Sequence, residues 1–208
     1  MYELLLPFLG ACLLVAMSPG PSTVLIIRNS MHSRRSGMMT VLGNESGVFV
    51  WGVVAACGLT ALLAASEVAY DVMRYVGAVV LIVFGIQAIR SARRGGHSEL
   101  VEGEGESRAA SGMRSYRAGL LMNLANPKAA IFAMSFLPQF VPSGAPQLPT
   151  MVALAGLWAT FEMGYYFTYV WGVGRLKRVL SRAGVRKRLE QISGGVLLAL
   201  GLRLALDG

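Results

Sequence analysis

The sequence predicts an all-α integral membrane protein, with six transmembrane helices forming two inverted-topology three-helix repeats and the first and fourth helices broken at proline. Three observations predict it. Apolar runs of membrane length recur along the chain, basic residues crowd into alternate connections, and the first and fourth runs carry the same kind of proline interruption. Of the 208 residues 54% are hydrophobic and 14% charged, where a soluble domain carries roughly 25% charged residues. The mean hydropathy is +0.55.

The runs fall at 4–27, 39–65, 68–89, 116–141, 149–174 and 191–206. Most reach the roughly 20 residues that cross ~30 Å of hydrocarbon. The first lies behind Glu3 rather than a basic segment and continues past Pro21, so it reads as an uncleaved span and not a secretory signal. Ser18-Pro19-Gly20-Pro21 interrupts it. The second and third are unbroken, and Gly43, Gly47, Gly52, Gly77 and Gly85 permit close helix contact. Asn126-Pro127-Lys128 interrupts the fourth. Trp51, Trp158, Trp171 and the tyrosines around Tyr165 read as interface anchors in preference to the alternative, a substrate cage. The sixth run is short, so it thins the bilayer, extends upstream as an amphipathic helix, or leaves a five-span chain.

The net charge of +8 raises the possibility of a nucleic-acid partner, and placement excludes it. Of 19 Lys and Arg, 16 fall in three connections. The first holds Arg28, Arg34 and Arg35; the third holds Arg90, Arg93, Arg94, Arg108, Arg114 and Arg117. The fifth holds Arg175, Lys177, Arg178, Arg182, Arg186, Lys187 and Arg188. The second has only Arg74, and the fourth, Pro142 to Pro149, has no charge. Strict alternation is the positive-inside pattern, which puts connections one, three and five in the cytoplasm and both termini outside. The chain is therefore expected in the cell membrane, its basic fifth connection lying as a short amphipathic helix on anionic lipid headgroups.

Three spans precede and three follow a Gly/Ser/Glu-rich segment too polar to bury a core. This divides the chain into a first repeat at 1–90, a flexible cytoplasmic connection at 91–113 and a second repeat at 114–208. An odd number of spans per half inverts the second copy. Glu45-Ser46-Gly47 matches Glu162-Met163-Gly164 at a shift of 117 residues, which also carries Gly77 onto Gly194. Pro19 and Pro127 are 108 apart, so an insertion or deletion intervenes.

The interruptions carry the candidate substrate-binding residues: Ser18, Pro19, Gly20 and Pro21, then Asn123, Asn126, Pro127 and Lys128. Proline lacks an N–H and clashes with the carbonyl four residues back. Pro19 and Pro21 would free the carbonyls of Val15 and Met17, and Pro127 that of Asn123. Stranded backbone groups cost several kcal/mol each in hydrocarbon unless protein or a cavity satisfies them. Ser18 and Asn126 suit the N-cap, with proline in the first helical turn. Each half-helix then aims a partly positive N-terminus at mid-membrane, where a carboxylate fits, while freed carbonyls suit an ammonium. Glu45 and Glu162 are the candidate proton-coupling pair. A lone ionised carboxylate at that depth costs at least ~2.5–3.5 kcal/mol, so it pairs, faces water or holds a proton. Lys128 is the available counter-charge, and Asn44, Asn123 and Asn126 add neutral hydrogen bonds.

No cofactor and no metal are expected. Cys12 and Cys57 read as small buried thiols without a CxxC, and His32 and His97 fall in cytoplasmic connections. Without a histidine inside a span, a Ser–His or His-metal intramembrane enzyme is excluded.

At these residues the chain resembles the LysE/RhtB family of small membrane exporters for amino acids and related metabolites. The likeness rests on Ser18-Pro19-Gly20-Pro21 after an apolar lead, Gly43 and Gly47, then Gly119, Asn123, Asn126-Pro127-Lys128 and Leu137-Pro138-Gln139-Phe140. It runs over essentially the whole chain. The resemblance implies secondary active export from the cytoplasm by proton antiport with alternating access, and a homodimer; its partners are a small-molecule substrate, protons and membrane lipids. The cysteine or histidine arrangements of thiol-redox and heavy-metal relatives are missing. The competing reading is a channel or ion exporter, which needs a continuous polar pathway; the spans offer few polar residues beyond those named.

Overall fold

The computed structural model describes residues 2–17, 20–93, 112–180 and 183–206, and every regular element among them is helical. α1 (Tyr2–Met17) and α2 (Pro21–His32) come from the first apolar run; α3 (Arg34–Ala65) and α4 (Glu67–Arg93) from the second and third. The fourth run gives α5 (Gly112–Leu124), α6 (Pro127–Phe136) and a 3-10 turn at Leu137–Phe140. α7 (Gln147–Leu180) and α8 (Ala183–Leu206) follow. Most of the Gly/Ser/Glu-rich connection, 94–111, lies outside the described residues.

The two proline breaks bend the chain by similar amounts. α1 and α2 meet at 67°, and α5 meets α6 at 62°. By length and composition one described helix, Arg34–Ala61, crosses a membrane unbroken, and the two bent pairs raise the number to three if each is one span. Tyr75–Arg90 forms a shorter apolar helix. The sequence-derived count of six is thus not reproduced by length and hydropathy among the described residues; in α7 the interior Glu162 and its neighbouring tyrosines lower the hydropathy of the span. The fifth connection differs from expectation: its basic residues continue α7 to Leu180 and open α8 at Ala183 instead of forming a separate amphipathic helix. This also lengthens the short sixth run upstream, to 24 helical residues.

Small residues set the packing. A Cβ on Gly43 would strike the backbone of Tyr116 and Leu120, and one on Gly119 would strike the Thr40 carbonyl, so α3 and α5 touch backbone to backbone. α4 and α8 approach as closely: the carbonyl of each of Gly85 and Gly194 stands 2.7 Å from where the other's Cβ would be. α7 bends at Gly172, whose φ of −104° and ψ of 15° leave the helical region.

The basic ends gather at one end of the bundle. The Arg34 guanidinium sits 4.8 Å over the Trp171 ring, a cation–π contact joining the start of α3 to the end of α7. The start of α5 lies there too, Gly112 resting against Met39. Towards the opposite end, which carries few basic residues, an apolar cluster joins Phe8, Leu59, Phe136, Phe140, Met151 and Trp158. A smaller cluster of Ile26, Ile27, Val41, Tyr166, Tyr169 and Val170 packs α2 against α3 and α7. Cys12 is buried as expected, but Cys57 is exposed on the outer face of α3.

Candidate functional site

Both breaks open onto one cavity of about 310 Å³. α2 starts with Pro21 in its first turn, where the missing N–H costs nothing. Gly20 is its N-cap, in extended conformation with φ −150° and ψ −177°, and no side chain caps the helix. The cap expected at Ser18 is therefore displaced to Gly20: either proline can start a helix, and the chain uses the second. Ser18 and Pro19 themselves lie outside the described residues. α6 starts at Pro127, and the Asn126 side chain accepts from the Lys128 backbone N–H at 3.1 Å, as its residue type predicts.

The cavity draws on most helices. Gly20, Pro21, Ser22 and Thr23 come from the start of α2, and Asn126, Lys128 and Ala129 from the start of α6. α7 adds Trp158, Glu162 and Tyr166, which at four-residue spacing share one helix face. Asn44, Val48 and Asn123 close the wall between α3 and α5. Ala88 of α4 and Glu190 and Leu197 of α8 extend it towards the basic end.

Of the predicted residues, Gly20, Pro21, Asn123, Asn126, Lys128 and Glu162 thus share this cavity; Glu45 does not. Asn44 faces the cavity, and the next position along a helix turns away by about 100°. Glu45 sits behind, only 1% exposed, where Asn44 Nδ2 donates to its Oε1 at 2.9 Å. Asn123 Nδ2 donates in turn to Asn44 Oδ1 at 3.2 Å, linking the hidden carboxylate to the cavity wall. The two glutamates still act on one another electrostatically, and Glu162 also feels the charge of Lys128.

Of the carbonyls expected to be freed, that of Asn123 does not wait for an ammonium, and beside the first break the neighbouring Ala16 carbonyl also has a side-chain donor. The Asn123 carbonyl accepts from the Asn126 N–H at 2.9 Å and from Trp51 Nε1 at 3.4 Å, and the Ala16 carbonyl accepts from the Tyr166 hydroxyl at 3.4 Å. Each break is thus held by an aromatic donor from a neighbouring long helix. The unsatisfied groups are side chains. Six buried side-chain atoms lack a formed hydrogen bond among the described residues, and Ser22 Oγ, Asn123 Oδ1, Trp158 Nε1 and Glu162 Oε1 all belong to residues of this cavity. The last two face each other one helical turn apart, and the Trp158 N–H acts on the Glu162 carboxylate, which leaves Ser22 Oγ and Asn123 Oδ1 without any side-chain neighbour of this kind. An unpaired buried polar group costs roughly 1–3 kcal/mol.

Sequence reasoning missed Ser22, Thr23, Trp158, Tyr166 and Glu190. Trp158 is no interface anchor: it is 1% exposed and edge-on to Phe132 at 5.0 Å.

Broken helices that meet at one cavity with charged and polar groups in its wall suit a protein that passes solutes, and the relatives agree. Residues 13–208 match the LysE type translocator model. The chain belongs to that family. Over 208 residues the translocator is 23% identical to "Uncharacterized membrane protein YrhP" of Bacillus subtilis (strain 168), covering 98% of this chain and 99% of that protein. It is 26% identical to an "Uncharacterized membrane protein" of Vibrio cholerae serotype O1, over 96% of this chain and 95% of the other. To the "Homoserine/homoserine lactone efflux protein" of Salmonella typhimurium (strain LT2) it is 24% identical, over 98% and 97%. No solved structure matches the translocator.

Proposed function

We propose that this translocator is a secondary active exporter, carrying amino acids or closely related small metabolites out of the cytoplasm by proton antiport with alternating access. The observation that carries the reading is the shared cavity: two helix N-termini, the Lys128 ammonium and the carboxylates of Glu162 and Glu190 line one space beside buried polar atoms. Its volume lies at the lower end of the ~300–1,000 Å³ of small-molecule sites. The uncapped start of α2 and the Lys128 ammonium offer a substrate carboxylate its place, and Glu162 offers one to an ammonium. Homoserine and its lactone, which name the Salmonella relative, share the ammonium and differ at the carboxylate. Glu162 is then the contact both need.

The helix pairs support two inverted halves. α3 packs on α7 and α4 on α8, each second- or third-span helix beside its counterpart, and α3 meets α5 as α7 meets α1 and α2. The shift of 117 carries the Gly85–Gly194 contact onto Leu202 and Gly77, and one residue away Gly201 presses on the Ala78 carbonyl. Rocking two such halves about the cavity gives alternating access. With six spans and the basic end in the cytoplasm, a cytosolic amino acid enters beside Glu162 and displaces its proton. A proton arriving from outside then restores the neutral acid and releases the substrate outward; Glu45, coupled through Asn44, takes part in that exchange.

The test is transport in reconstituted vesicles. Wild-type protein exchanges labelled for unlabelled L-homoserine saturably and accelerates efflux under an inward proton gradient; ohmic conductance without saturable exchange would establish a channel. Glu45→Gln and Glu162→Gln abolish the gradient's effect. Undiminished proton-driven efflux in both removes the coupling role.

A further inference from the structure

The cavity extends towards one end of the bundle and is stopped at the other. Ala88 and Glu190 extend it towards the end where α4 runs out at Arg93 and α8 begins with its basic residues. Towards the opposite end it meets aromatic rings. Phe132 and Trp158 form its wall, and beyond them Phe132 stacks on Phe136 at 4.2 Å. Phe136 stacks on Phe8 of α1 at 5.3 Å and meets Phe140 at 4.6 Å, while Phe140 sits edge-on to Phe8 at 5.2 Å. Counting ~1.5 Å per residue outward from Pro127, these rings occupy successive levels roughly 7, 13 and 20 Å from the break. None is more than 4% exposed.

The rings belong to elements that alternating access would part. Phe8 lies on the half-helix before the first break, and Phe132, Phe136 and Phe140 on the half-helix after the second. The outermost ring sits in the Leu137-Pro138-Gln139-Phe140 motif, wound as a 3-10 turn that ends α6, as is common at helix C-termini. Beside it Gln139 Oε1 is buried without a partner, so the turn is not fully satisfied as it stands. Stacked aromatics gain about 0.5–1.5 kcal/mol per pair beyond area burial. That is a barrier binding energy can overcome.

We propose that Phe8, Phe136 and Phe140 form the gate of the translocation path at the end opposite the basic one, closed in this structure while the cavity communicates with the basic end. The motif thereby acquires a role: it carries the moving ring. The gate rests on the exporter reading, in which this is the state that admits cytosolic substrate.

The test uses the full-length protein with Cys12→Ala and Cys57→Ala and a reporter, Ala129→Cys, in the cavity wall. A membrane-impermeant maleimide is applied to intact cells and to inside-out vesicles; Ser143→Cys, in the exposed uncharged connection, reports which preparation presents that end. With the phenylalanines intact, Ala129→Cys is labelled from the basic end only. Adding Phe8→Ala and Phe136→Ala makes it reactive from both ends, at least tenfold faster from the Ser143 end. Phe8→Leu with Phe136→Leu, which keeps apolar bulk, gives an intermediate rate. Labelling of the parent from the Ser143 end, or from neither end, overturns the proposal, as does unchanged sidedness in both phenylalanine variants. L-homoserine counterflow by the wild-type protein is scored separately: its absence refutes the exporter reading, whereas sidedness decides the gate.

Discussion

Gly47 and Gly164 hold matched positions in the two halves, yet they meet different surroundings, and alanine distinguishes them. A Cβ at Gly47 would stand 2.8 Å from Asn123 Cβ and 2.9 Å from its Oδ1, whereas one at Gly164 meets nothing within 4 Å. Asn123 must therefore retreat by about 0.6 Å, the gap between 2.8 Å and ordinary contact at 3.4 Å. That strains its 3.2 Å hydrogen bond to Asn44, already at the long end of the usual range. Overpacking costs ~1–3 kcal/mol and a weakened buried hydrogen bond ~1 more, against ~0.8–1 kcal/mol gained because alanine prefers helix. Gly47→Ala should lose a net ~1–3 kcal/mol, and Gly164→Ala should gain up to ~1. At roughly 2–4 °C per kcal/mol for a chain of this size, the unfolding midpoint falls by about 2–12 °C in the first and rises by up to about 4 °C in the second. Detergent-solubilised protein, scanned at one fixed rate by tryptophan fluorescence, measures both. Counterflow should show a raised KM for Gly47→Ala, because Asn123 lines the cavity. A Gly47→Ala protein as stable as wild type with unaltered KM would refute the reasoning.

Three further outcomes follow from the cavity. Lys128→Met should weaken L-homoserine at least tenfold in counterflow competition, a charged hydrogen bond contributing ~1.5–3 kcal/mol, while homoserine lactone, which lacks the carboxylate, changes less. Equal losses for both would show that Lys128 does not meet the carboxylate. Asn126→Ala removes the α6 cap and should destabilise the protein by ~1 kcal/mol in the same thermal scan, with Asn126→Asp recovering most of it; equal midpoints for the two variants would discount the cap. Tyr166→Phe leaves the Ala16 carbonyl without its side-chain donor, and a midpoint lowered by about 2–4 °C is expected from ~1 kcal/mol.

The breaks were legible because proline acts locally: it removes a donor and a carbonyl's partner whatever surrounds it. The choice of Gly20 over Ser18 as the cap was not, since two prolines two residues apart each permit a helix start and packing selects between them. Matched sequence placed Glu45 and Glu162 in equivalent spans but left their surroundings undetermined. Here a signal was available: Trp158, Glu162 and Tyr166 lie four apart on one face, whereas Glu45 is one position off the face that carries Asn44 and Val48. Glu190 gave no such warning, because it lies among Lys187, Arg188 and other basic residues that read as solvated. The aromatic stack was invisible too, as Phe8 and Phe136 are 128 positions apart and meet only once both breaks have folded inward.

Equilibrium binding of labelled L-homoserine to the purified protein tests the central claim most directly. Wild type should bind saturably and be displaced by homoserine but not by N-acetyl-homoserine, which lacks the ammonium, and Glu162→Gln should reduce affinity at least tenfold. Unaltered binding in Glu162→Gln, or displacement by the acetylated compound as readily as by homoserine, would contradict it.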